Sequence, residues 1–421
     1  MADVKPFKGW YYNPEKVELE KVIAPPHDVI SPEGQEEYYR SSEYNVIRLI
    51  LGKVLKGDSG KDNRYTRAAD FMRKLIADAI LMEDDKRSFY AYEMEYALAN
   101  GKRKSNLGFI ALVKLEPFEK KIVLPHEKTL PKQMEDRYNL IKACHADTSP
   151  IMSAYSDPEL KTKRMLQESV GEPFIKVKDG DGVEHTLWKV DDDARIKRLK
   201  DFLKDKRIYI ADGHHRYTTA LRYYERHPES SDGYIMMLLL NMDDDLTVLP
   251  AHRVIREVTE EQMQKLSTYF TMEACDAGKF FQRLENEKAD NVYGMYHDKG
   301  YSILKPKPEP LKKAFVKDRS EEWNQLDVTV FNRLIIDKAF GIRSDSESER
   351  RIAFAKDTRK AFKHVDGGDY EVAFFLRPTK MNEIRKVADK GERMPQKSTY
   401  FYPKALSGLI IHRFTQTKQN P

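Results

Sequence analysis

The sequence predicts a mixed α/β protein of the α+β class, and three observations carry that reading. Apolar residues recur at helical spacing over 65–81. Two pairs of β-rich runs flank turn-forming residues, at 99–102 and again at 179–182. Residues 208–240 read as strand, helix and strand with tight connections, a unit that suits a layered fold.

The chain has 421 residues, enough for two or three domains at about 150 residues each. We divide it into an N-terminal α/β region (1–115), a central core (116–256) and a C-terminal α/β region (257–421). In the first, the prolines of PPHDVIS at 25–31 favour an extended segment leading into a turn. A helix over 65–81 follows, placing Ala68, Phe71, Met72, Leu75, Ile76 and Ala79 on one face. Strands are then expected at 88–98 and 106–115. The central region gives strands at 121–124 and 151–155 around a helix at 133–144. A hairpin of 174–177 with 184–190 comes next, its Asp-Gly-Asp-Gly turn tolerating positive φ. The strand 208–211, the helix 214–226 and the strand 234–240 complete that region. The last third gives helices at 260–270 and 327–340 and strands at 370–376 and 409–414. KPKPEP at 305–310 reads as a linker or loop that marks a domain edge.

Composition narrows the class. Charged residues are 33% and aromatic residues 11%, which fits a globular chain and not a disordered one. Lys plus Arg total 73 against 68 for Asp plus Glu, interspersed without tails, so no basic face for nucleic acid stands out. Cys144 and Cys275 lack any metal-ligand spacing and fit a reducing compartment. The start of the chain has no apolar leader-like run, and the longest apolar stretch, 234–240, falls far below the roughly 20 residues of a membrane span. A cytoplasmic protein with no membrane partner is the expectation.

The most specific motif is DGHHR at 212–216, between an expected strand and an expected helix. The first amide groups of a helix lack intrahelical partners and present partial positive charge, so an anion binds there readily. Gly213 lets a phosphate approach the backbone, Arg216 offers a planar fork, and His214 and His215 add donors. Asp212 could hold Mg²⁺ or position an attacking group. The bland alternative is an Asp212 helix cap with two surface histidines. Adjacent histidines diverge by about 100° on a helix, which disfavours zinc.

Further candidates surround it. LPHEKT at 124–129, followed by Asp136 and Arg137, offers Glu127 as a general base, with His126, Thr129 and Arg137 as supporting groups. A lone loop Glu is also commonly exposed or a cap. MPQKSTYFYPK at 394–404 offers Lys397, Ser398 and Lys404 for phosphate or carboxylate, or else forms an aromatic plug on the core. LPAHRV at 249–254 places His252 and Arg253 after an apolar strand, with the same two readings. Walker A, GxGxxG, GxSxG and HExxH motifs are absent, so common kinase, dehydrogenase and esterase templates are absent.

Together PPHDVIS, LPHEKT, ADGHHRYTTAL, LPAHRV and MPQKSTYFYPK resemble the bacterial and archaeal domain-of-unknown-function family ten-fifteen, over nearly the whole chain. The sequence departs from that family's usual PPYDVIS by carrying His27. More remotely, residues 120–240 are similar to the ParB and sulfiredoxin superfamily, and within it to the free-serine kinases. That resemblance implies a ParB/sulfiredoxin-like central core in which 212–216 grip nucleotide phosphates and Glu127 takes the proton of a serine hydroxyl. The implied reaction is phosphoryl transfer from ADP or ATP, with Mg²⁺, to a small hydroxyl substrate, L-serine first. Two alternatives stand beside it: a CTP-type nucleotide-binding regulator or DNA-associated protein, and a phosphatase or lyase acting on a small phosphorylated metabolite.

Overall fold

The computed structural model describes residues 1–414 apart from Ala99, Leu130 and Lys299. Ala99, in the first expected turn, therefore lies outside the described residues. The chain is mixed α/β and divides into two compact units. The first takes residues 1–125, 129–246 and those from 403 onward; the second takes 126–128 and 247–402.

The first unit is built on a nine-stranded sheet. Its strands run in the order Val123–Leu124, Ile208–Asp212, Ile151–Tyr155, Tyr234–Asn241, Arg103–Lys114, Phe89–Ala97, Glu184–Val190, Ile175–Lys178. Val4–Lys5 adds antiparallel to Arg103–Lys114. The centre is the apolar run Tyr234–Asn241, buried from Ile235 onward as a strand covered on both faces must be. Both expected hairpins form, Phe89–Ala97 with Arg103–Lys114 and Ile175–Lys178 with Glu184–Val190. The strand-helix-strand unit also forms, but its two strands are not neighbours. Ile208–Asp212 runs antiparallel to Ile151–Tyr155 and Tyr234–Asn241 runs parallel to it, on the other side.

The helix expected over 65–81 is Arg64–Ala77, opened by a capping box between Asn63 and Thr66. It stops early because Ala79 turns to φ 50°, and Leu81 starts the strand Leu81–Glu83. The helix Pro131–Cys144 lies against both Arg64–Ala77 and His214–Arg226.

The second unit carries an antiparallel six-stranded sheet, ordered Phe270–Cys275, Gly300–Pro306, Tyr293–His297, Val372–Phe375, His252–Ile255, Ile352–Ala355. A short ladder joins Thr247–Leu249 to Tyr400–Tyr402. The expected helix over 327–340 begins as α-helix at Asp327–Phe331 and widens to a π-helix over Asn332–Ala339. The linker expected at 305–310 is corrected. Lys305 and Pro306 end the strand Gly300–Pro306 opposite Thr271 and Phe270, and Pro308 opens the helix Pro308–Ala314. Proline at a strand's last residue and at a helix's first turn breaks no ladder hydrogen bond, so a proline-rich run can be structured.

Candidate functional site

Each unit gathers some of the candidate residues. In the first, the ladder between Ile208–Asp212 and Ile151–Tyr155 shifts register between Ile210 and Asp212. Such a bulge re-aims the side chain that follows it. Gly213 then takes φ 95°, a conformation that costs a residue with a Cβ about 1–2 kcal/mol. A Cβ there would also meet the Arg216 guanidinium at 2.9–3.0 Å. Gly213 is itself the N-cap of the helix His214–Arg226 and supplies no side-chain cap, so the helix is not capped by Asp212.

The charges at this turn are tightly held. Arg216 donates through Nη2 to Asp212 Oδ2 at 2.9 Å and through Nη1 to the carbonyls of Pro150 at 2.9 Å and Ser149 at 3.1 Å. Lys404 Nζ donates to Asp212 Oδ1. Burial acts to raise the Asp212 carboxyl, but Lys404 and Arg216 outweigh it and hold it well below the usual carboxylate range. A C-terminal lysine expected only as a supporting group thus grips the central carboxylate directly.

A second carboxylate extends the cluster. Asp136 accepts from Arg64 Nη2 and from the Tyr65 hydroxyl at 2.8 Å on one oxygen. Its other oxygen accepts from Arg137, through Nε at 2.8 Å and through Nη2. The buried Arg137 also donates to the Ile50 carbonyl at 2.9 Å. His27 links the two groups electrostatically. Burial first, then Arg137 and Arg216, push its imidazole well below its ordinary value, so it is neutral at physiological pH. The cations Arg64, Arg137, Arg216 and Lys404 therefore outnumber Asp136 and Asp212, and the open helix terminus adds to the positive excess. An anion is the ligand that such a cluster attracts. Arg64, Tyr65, Asp136 and His27 were missed as site residues. The only sequence signal was the adjacency of Asp136 to Arg137 and of His27 to the two prolines.

The donor set does not fit a protein-held Mg²⁺ at Asp212. Both carboxylate oxygens already receive a cationic donor, whereas Mg²⁺ requires oxygen ligands around it. Among the described residues, no three His, Cys, Asp or Glu side chains gather as a metal would need.

In the second unit, residues 126–128 are stitched to the 394–399 loop. Met394 N–H donates to the His126 carbonyl at 2.7 Å, and Lys397 N–H donates to Glu127 Oε1 at 2.5 Å. His126, 1% exposed, places Nε2 2.9 Å from Thr399 Oγ1. Ser398 turns its hydroxyl to the Pro395 carbonyl. Arg253 donates to the carbonyls of Ala251 at 2.5 Å and Lys397 at 3.3 Å. His252 Nδ1 accepts from Leu376 N–H at 3.3 Å, and burial with Arg253 beside it pushes the ring down to about 4. It is a neutral acceptor and contributes no charge.

The structure thus brings Asp212, Gly213, His214, Arg216, Lys404 and Arg137 into the first unit's cluster. It brings His126, Glu127, Arg253, Lys397 and Ser398 around the second unit's loop. His215 is half-buried at the second position of its helix. Thr129 belongs to the first unit and joins no side-chain hydrogen bond among the described residues.

Among the described residues, no helix is long and apolar enough to cross a membrane. No curated protein matches the sequence. Solved structures with a similar backbone include a conserved hypothetical protein from Pyrococcus furiosus, at TM-score 0.35 and 13% identity over 70% of this chain and 93% of that one. A variant of a free serine kinase in complex with ADP is similar at TM-score 0.38 and 14% identity, over 71% of this chain and 92% of its own. SbnI from Staphylococcus aureus, truncated at its C-terminus, is similar at TM-score 0.37 and 13% identity, over 74% and 90%. The family described as "Protein of unknown function (DUF1015)" matches residues 4–329, which is most of the chain, and the protein belongs to that family.

Proposed function

We propose that the first unit binds the phosphates of ADP or ATP at the 212–216 turn, and that the protein transfers a phosphoryl group from that nucleotide to a small hydroxyl substrate, L-serine first. The observation that carries this reading is the cation excess of Arg64, Arg137, Arg216 and Lys404 over Asp136 and Asp212, beside a helix terminus whose N-cap is a glycine. Backbone N–H groups and fixed cations are what a transferring phosphoryl group needs, because charge on its oxygens dominates that chemistry. Arg216, already fixed by two carbonyls and Asp212, orients the turn, while the helix terminus, Lys404 and His214 stabilise the phosphate charge.

Glu127 is the proposed base. It would take the proton of the substrate hydroxyl as that oxygen bonds to phosphorus and the bridging oxygen leaves with the nucleotide. The hydrogen bond from Lys397 N–H to Oε1 supports this role by fixing the carboxylate's orientation. Incubating the full chain with L-serine, MgCl₂ and ADP or ATP should yield O-phosphoserine by mass spectrometry. Glu127→Gln should lower the rate at least a hundredfold and leave nucleotide affinity within twofold. Nucleotide binding with no phosphorylated product from wild type, or unchanged turnover in Glu127→Gln, contradicts the transfer step. The first outcome favours a nucleotide-sensing regulator.

A further inference from the structure

The second unit holds a charge anomaly that its fold does not explain. Three arginines are buried among the described residues: Arg137, Arg253 and Arg351. Arg137 pairs with Asp136, and Arg351 reaches Glu347 at 2.8 Å. Arg253, 3% exposed, has no carboxylate partner among the described residues. Of its five N–H donors, the contacts to the Ala251 and Lys397 carbonyls employ two. Its guanidinium otherwise lies 5.2 Å from the Phe331 ring centroid and 5.5 Å from that of Phe354.

Deprotonation does not resolve the anomaly. Burial pushes the group down only to about 10, so it remains cationic at neutral pH. Taking one charge out of water is costly, and two aromatic faces offset only part of that cost. A second observation sits at the same place. Lys397 holds φ 54°, unusual for a residue with a Cβ, while its N–H donates to Glu127 and its carbonyl accepts from Arg253. Backbone strain of this kind persists where the surroundings enforce it, and it clusters at ligand sites. One strained residue, Lys397, therefore holds a carboxylate at its N–H and an uncompensated guanidinium at its carbonyl.

We infer that Arg253 anchors an oxyanion-binding site in the second unit, beneath the 394–399 loop, which takes the carboxylate or phosphate group of a small ligand. The missing counter-charge is then the ligand's, and the planar fork selects a two-oxygen anion. This inference uses none of the phosphate-binding groups proposed at the 212–216 turn, so either can fail without the other.

The test uses the full chain at constant ionic strength, with sodium glycolate and sodium phosphate as separate probes in calorimetric titrations. At least one probe should bind saturably to the Lys404→Met variant, in which the first unit's phosphate cluster is weakened. Arg253→Lys, which keeps charge and loses the fork, should weaken that binding at least tenfold. Glycolate binding identifies a carboxylate ligand, and binding of phosphate alone identifies a phosphate ligand. Hydrogen exchange on wild type needs no variant, and the bound probe should slow exchange in peptides covering 249–254 and 394–400. Absence of saturable binding by either probe, unchanged affinity in Arg253→Lys, or no protection in those peptides overturns the inference.

Discussion

The cation cluster of the first unit and the buried Arg253 of the second are held in opposite ways. In the first, Lys404 and Arg216 share Asp212, while Arg64 and Arg137 share Asp136. In the second, Arg253 has carbonyls and aromatic faces and no carboxylate. Shared carboxylates make a rigid, preassembled cluster whose surplus positive charge is spread over several groups. An isolated guanidinium is a single, directional demand. The first arrangement suits a polyanion such as a nucleotide's phosphates, and the second suits one small anionic group.

Removing counter-charges breaks this contrast most forcefully. Asp212→Ala removes the carboxylate that Lys404 and Arg216 share, each about one-tenth exposed, and should cost about 4 kcal/mol, read by chemical denaturation. A loss below about 1 kcal/mol would mean that the pairing is not structural.

His412 sharpens the same rule with a titrating cation. It lies 3.2 Å from Asp147 and 3.6 Å from Asp232 in the first unit. Burial acts to lower its imidazole, but the neighbouring carboxylates of Asp147 and Asp232 prevail and raise it above the ordinary value. Its stabilisation is then fully present below the unfolded value near 6.5 and lost as pH climbs through the raised folded value. His412→Asn should therefore cost about 3 kcal/mol at pH 6 and markedly less at pH 9. Equal losses at both pH values would contradict a charged pair.

The smallest effect is expected in the second unit. Arg253→Met removes an uncompensated charge as well as two hydrogen bonds. Relief of desolvation then offsets the stranded carbonyls, and stability should stay within about 1 kcal/mol of wild type. A loss comparable to that of Asp212→Ala would show that the guanidinium is a structural keystone and erase the contrast between the units.

Local features were the legible ones. The helix His214–Arg226 and the strand Ile151–Tyr155 carry their period and punctuation within a dozen residues, and both fall where the sequence placed them. DGHHR marks a candidate anion site because strand, glycine and helix start are consecutive in the chain. Sheet order was not legible. Nothing in 208–240 discloses that Ile151–Tyr155 inserts between the two strands, since that depends on pairing across more than fifty residues. Likewise Lys404 meets Asp212 from 192 residues away, and Arg64 meets Asp136 from 72. Charge pairing at such separations leaves no periodic trace. The 305–310 run misled because proline was read as a breaker, where strand end and helix start both accept it.

The central claim, a phosphate site at the 212–216 turn, is tested most directly by titrating ADP and ATP into the full chain by isothermal calorimetry. Wild type should bind at least one of them with a stoichiometry near one. Lys404→Met, with unchanged circular dichroism, should bind it at least tenfold more weakly, about 1.4 kcal/mol. No binding of either nucleotide to wild type, or equal affinity in Lys404→Met, contradicts the claim.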